Sequence, residues 1–104
     1  MNKALEKLPA LVAKELEAAN AVFPPFQSLH EGYAVMLEEV EETREAMLEV
    51  ELLMKALWRD TRYNNVCHIE SHATGISNYA QLVAAEAIQI AAMAKKLLAY
   101  VDSI

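Results

Sequence analysis

The chain has 104 residues, with 2 Gly, 3 Pro and 55% hydrophobic side chains, which points to one all-α domain of long helices because little is available for turns. Its net charge of −6 repels nucleic-acid phosphates and anionic membrane surfaces, so neither is expected as a partner. Cys67 is the single cysteine, which excludes an internal disulfide and fits a reducing, cytoplasmic setting; no export signal and no apolar run of spanning length is read.

A chain this short buries only roughly two thirds of its unfolded surface by itself. With so much apolar surface, the expected architecture is an antiparallel helical bundle completed by association with copies of itself, as a homodimer or homotetramer.

In chain order, the first helix is marked by Leu5, Leu8, Val12, Leu16, Ala19 and Phe23 at three- and four-residue steps, and it must end before Pro24 and Pro25. Pro9 fits either the first helical position or a kink. Ser28-Leu29-His30-Glu31 has the form of a capping box, in which the serine oxygen accepts from the glutamate N–H while the glutamate side chain bonds back. The second helix is expected from there to about residue 61. Its apolar face is drawn through Tyr33, Met36, Leu37, Val40, Met47, Val50, Met54, Leu57 and Trp58.

After a break at Tyr63-Asn64-Asn65, the pattern predicts a short helix over 66–73, ended by Thr74-Gly75. A final helix is then capped by Ser77 or Asn78 and reaches about residue 101. That last element carries a seam of Ile76, Ala80, Val83, Ala87, Ile90, Ala94, Leu97 and Val101, with small residues suited to close helix packing.

Seven glutamates crowd positions 38–51 against one arginine, Arg44, and like charges at i,i+4 destabilise a helix by a few tenths of a kcal/mol each. Glu39 falls at the border of the apolar face and can lean toward a neighbouring helix. Taken alone, such a run is usually a solvated face. The final helix changes that balance, because Glu86 and Gln89 are the only polar side chains between Val83 and Ala94, and a carboxylate there is costly to bury unless paired or bound to a metal. Glu39 with Glu42, and Glu86 with Gln89, form two i,i+3 pairs that can face each other across a bundle, the arrangement from which carboxylate metal sites are made.

Residues 30–42, HEGYAVMLEEVEE, together with residues 86–94, EAIQIAAMA, resemble the MazG-like members of the all-α NTP pyrophosphohydrolases, whose signature is EExxE on one helix and ExxD on a later one. Here EExxE is Glu38-Glu39-Val40-Glu41-Glu42, while the second element reads Glu86-Ala87-Ile88-Gln89, with Gln89 in the place of the aspartate. The resemblance spans roughly residues 23–101. It implies a single pyrophosphohydrolase-like domain over 1–104, and Mg²⁺, with Mn²⁺ as the alternative, held by Glu38, Glu39, Glu42, Glu86 and Gln89. It further implies catalytic roles for Glu38 and Glu39, and a nucleoside triphosphate as substrate, hydrolysed to monophosphate and pyrophosphate. The alternative is a catalytically weak or inactive nucleotide-binding or interaction protein with the same bundle, and Gln89 is the residue that separates the two.

Lys96 shares the face of Glu86, Gln89 and Met93 and is placed to meet a phosphate, with Lys95 as second choice; the plainer reading is two solvated lysines near a helix C-terminus. His68 and His72 at i,i+4 could share a metal, but no third ligand stands at a familiar spacing. They are therefore expected as surface or interface residues, with no zinc and little loss of stability on replacing His72. His30 is expected to serve the helix start.

Overall fold

The computed structural model describes residues 2–104. It holds three α-helices packed antiparallel and one short 3₁₀ turn: α1 (Lys3–Val22), α2 (Leu29–Arg62), the turn Val66–His68, and α3 (Ile69–Asp102). There is no strand among the described residues, so the all-α expectation stands. No helix is long and apolar enough to cross a membrane.

Helix α1 starts where Asn2 caps it: its side-chain oxygen accepts from the Leu5 N–H at 3.1 Å, satisfying one of the four donors that a helix start leaves over. Pro9 lies inside the helix, exposed, where its missing N–H leaves one carbonyl of the first turns to solvent. The helix stops before Pro24-Pro25 as the sequence demands. At the start of α2, Ser28 Oγ accepts from the Glu31 N–H at 3.0 Å, whereas Glu31 Oε1 accepts from the N–H of Gln27, at 2.9 Å. The capping box thus reaches one residue further back than the expected Ser28 N–H.

Two expectations are corrected. The predicted break at Thr74-Gly75 is absent, and α3 runs unbroken from Ile69 to Asp102. Gly75 serves packing instead: a Cβ built there would lie 2.9 Å from Leu53 Cδ1, so the hydrogen admits the leucine where a methyl would crowd it.

The inward face of α2 is also rotated from the one drawn on the sequence. Tyr33, Met54 and Trp58 are exposed, while Gly32, Ala46 and Asp60 are buried and Glu39, Thr43, Val50, Leu53 and Leu57 half-buried. The heptad-like series that faces inward is therefore 39, 43, 46, 50, 53, 57, 60. On α3, Ala80, Ala87 and Val101 of the predicted seam are exposed, and Glu86 is half-buried beside Val83 and Ile90.

The chain divides into two compact units, one of residues up to Val40 with Glu86–Ile104, the other Glu41–Ala85. In the first, Val12 of α1, Phe26 of the connection and Ala92 of α3 are buried. Phe26 contributes about 1.5–3 kcal/mol by burial and lies against Gly32, where a Cβ would come within 3.3 Å of Phe26 Cδ2 and 2.7 Å of Leu97 Cδ1.

In the second unit, His72 departs from the surface position expected of it. His72 Nε2 lies 2.8 Å from Asp60 Oδ2, and the Asp60 side chain is only 7% exposed. A charged residue stands at the end of the inward series of α2 because α3 supplies the partner.

Candidate metal centre and adjoining cavity

The inward series of α2 brings Glu39 toward α3, and Glu86 stands on the α3 side of the same unit. Glu42 follows Glu39 by one turn of an unbroken helix, so the two carboxylates share a face. One carboxylate oxygen from each of Glu39, Glu42 and Glu86 lies within 4.8 Å of the others. Glu39 and Glu86 are half-buried and Glu42 is exposed.

Like charges at this separation repel by about 3 kcal/mol per pair at an effective dielectric of roughly 20. Oε2 of Glu86 is buried without a hydrogen-bond partner, and a buried polar atom ordinarily has one. An all-oxygen, all-carboxylate donor set of this kind could hold a hard metal ion.

The remaining candidates are distributed unevenly. Glu38 is exposed and lies outside the group of three. Gln89, one turn after Glu86, is half-buried and lines a cavity of about 450 Å³ together with Glu39 and Lys96. Lys96 is 6% exposed, and its Nζ sits 4.9 Å from the centre of the Phe26 ring, a cation–π distance. Lys95 is exposed and does not line that cavity. The two lysines that look alike in sequence are thus placed in opposite environments by a 100° step around α3.

Sequence reasoning missed the rest of this cavity. Its walls include Phe23, Pro24 and Phe26 of the connection between α1 and α2, with Glu15 from α1 and Glu31 from the start of α2. The signal was present as Phe23-Pro24-Pro25-Phe26, two aromatics flanking a rigid turn, but it was used only as a helix stop.

His30 is exposed at the start of α2. In the other unit, the His68 and His72 rings are 6.1 Å apart and tilted. Neither they nor exposed Cys67 join a group of three metal-ligating side chains among the described residues.

No known protein family matches this chain, and no characterised protein or solved structure matches it either.

Proposed function

We propose that the protein is a Mg²⁺-dependent nucleoside triphosphate pyrophosphohydrolase, releasing a nucleoside monophosphate and pyrophosphate. The observation that carries this reading is the convergence of Glu86, with its buried and unpartnered Oε2, on Glu39. A buried carboxylate oxygen without a partner is costly, and a cation bound there relieves that cost.

Glu39, Glu42 and Glu86 hold the ion, and Gln89 adds a neutral carbonyl oxygen from the next turn of α3. When bound, the ion supplies positive charge to the phosphate oxygens and to the charge that develops on them. Lys96 donates to a phosphate oxygen from the cavity wall, with Lys95 a second cation at the same helix end. Glu38 is exposed and outside the group of three, so its ligand or water-orienting role rests on the sequence resemblance alone. The sequence resemblance to MazG-like enzymes supports the same assignment of Glu38, Glu39, Glu42 and Glu86.

The test is pyrophosphate release from a panel of nucleoside triphosphates with Mg²⁺, with Mn²⁺ and in chelator. Metal-dependent release that is lost in Glu39→Gln is expected. No release from any triphosphate at millimolar Mg²⁺ overturns the reading.

A second reading is favoured by one residue. Gln89 is neutral where the resembling enzymes carry an aspartate, so a protein that binds nucleotide and turns it over poorly is the alternative. We also propose that the chain associates with itself, since Leu48, Leu52, Trp58 and Leu82 are large apolar side chains left exposed, which association would cover.

A further inference from the structure

The outward face of α2 carries a stripe that is complementary to itself when reversed. Positions 41, 45, 48, 52, 55 and 59 follow one another at alternating four- and three-residue steps, so they line up along one side of the helix. That side lies about 150° round from the series that faces α3. The stripe reads Glu41, Glu45, Leu48, Leu52, Lys55 and Arg59, and all six are exposed. Leu48 and Leu52 keep 52% and 49% of their surface in solvent. Arg59 approaches Asp60 at 3.9 Å, yet its own side chain is 64% exposed, so the guanidinium still faces outward.

The order of charge along this stripe decides what can cover it. Turned end for end about position 50, the stripe sets 41 opposite 59, 45 opposite 55 and 48 opposite 52. Each glutamate then meets a cation and each leucine meets a leucine. Aligned in parallel, the same stripe sets carboxylate on carboxylate and cation on cation, which is repulsive. Two chains of net charge −6 repel one another in general, so the reversed alignment is the one that brings opposite charges together. The two ends do not meet within one chain, because ten positions of helix separate Glu45 from Lys55 by about 15 Å.

We propose that two copies of this chain pair through the outward stripe of α2, antiparallel and about a twofold axis at position 50. Leu48 packs on Leu52 of the partner subunit, Glu45 meets Lys55 of the partner subunit, and Glu41 meets Arg59 of the partner subunit. The twofold axis makes each of these contacts twice. Exposed ion pairs contribute little singly, so the leucines hold the copies together while the charges fix direction and register. The proposal deepens the self-association proposed above by giving it a surface and an orientation. It stands apart from the hydrolase reading, since the stripe shares no residue with the acidic cluster or the cavity.

The test is a charge exchange, with the dimer Kd read by sedimentation equilibrium on the full chain. Glu45→Lys alone and Lys55→Glu alone should each weaken the dimer on the order of tenfold, because each turns a doubled attraction into a doubled repulsion. The variant carrying both substitutions should return to near the wild-type Kd, and that rescue has no explanation inside one chain. All of these positions are exposed, so the helical circular dichroism signal should not change. Direction is read separately on a Cys67→Ser background, where a mixture of Leu48→Cys and Leu52→Cys chains should form the mixed disulfide in preference to either symmetric one. Single variants with the wild-type Kd, a double variant weaker than both singles, or a preference for the symmetric disulfides overturns this interface while leaving self-association through another face. A wild-type chain that stays monomeric overturns both.

Discussion

Replacing Glu86 by glutamine changes the charge of the cluster at almost constant volume, and its effect should reverse sign with the metal. In chelator, the substitution removes a carboxylate whose Oε2 is buried without a hydrogen-bond partner and which lies within 4.8 Å of Glu39. The Coulomb term for that pair is about 3 kcal/mol at an effective dielectric near 20. Glu86 is only half-buried and the amide must itself be solvated, so a net gain on the order of 1 kcal/mol is expected. For a domain of this size that is a rise in Tm of about 4–8 °C.

In Mg²⁺ the order reverses. A cation at a hundred times its Kd stabilises the wild type by about 2.7 kcal/mol, and most of that gain is lost when one carboxylate in three is neutralised. Thermal melts by circular dichroism, for both proteins, in chelator and across a Mg²⁺ titration at constant ionic strength, should give curves of Tm against Mg²⁺ that cross. A Glu86→Gln protein less stable than wild type in chelator, or a wild-type Tm indifferent to Mg²⁺, refutes the reasoning, because either result means that the carboxylate is held by something other than a cation.

Gln89→Asp acts in the opposite direction: a further carboxylate one turn from Glu86 should raise Mg²⁺ affinity tenfold or more, read from the midpoint of the same titration, and a variant less stable at every Mg²⁺ concentration with no gain in pyrophosphate release would count against the site. His72→Ala should destabilise by about 1–3 kcal/mol by leaving buried Asp60 without its 2.8 Å partner, and Asp60→Asn should cost less, since an amide left in its place is cheaper to bury than a charge; urea melts measure both, and a His72→Ala midpoint equal to wild type would show that water replaces the ring. Light scattering at micromolar concentration should give at least twice the 11.6 kDa chain mass, and a monomer there contradicts self-association.

The parts of the fold that sequence made legible are those set by local chemistry. Pro24 and Pro25 stop α1, Ser28 opens α2, and Tyr63-Asn64-Asn65 ends it, because each acts on its own backbone or on neighbours within one turn. Gly75 was misread for the same reason: glycine is a break by local preference, and only the approach of Leu53, 22 positions earlier in the chain, shows that here it makes room.

The apolar face of α2 was drawn through exposed aromatics such as Tyr33 and Trp58, whereas the structure turns a series containing Glu39, Thr43 and Asp60 inward. Hydrophobicity alone could not choose that face, because Asp60 at one end is accommodated by His72 of α3 and Glu39 toward the other is turned to a second carboxylate, Glu86. Of the candidate site, Glu39, Glu42 and Glu86 were found by their i,i+3 spacing and by the apolar surroundings of Glu86. The cavity was not, since it needs α1, the connection and both longer helices at once.

The two connections between helices differ in a way that bears on how the chain meets a protease. Residues 24–27 lie between the helices, yet Phe26 is 6% exposed, Gln27 Nε2 donates to the Pro25 carbonyl, and Glu31 secures the Gln27 N–H. Adjacent prolines further hinder cleavage, because they have no backbone N–H to offer a protease and a fixed φ. Residues 63–65 donate backbone hydrogen bonds to the last turns of α2, but their side chains are not packed down: Tyr63 and Val66 are 72% and 73% exposed, and Asn64 adopts a left-handed φ of 52°. Nicking should therefore begin in that second connection, with the first peptide released ending near Tyr63 and carrying α1, the 23–28 segment and α2 whole, and with the fragment containing α3 retaining Lys96 but parted covalently from Phe26.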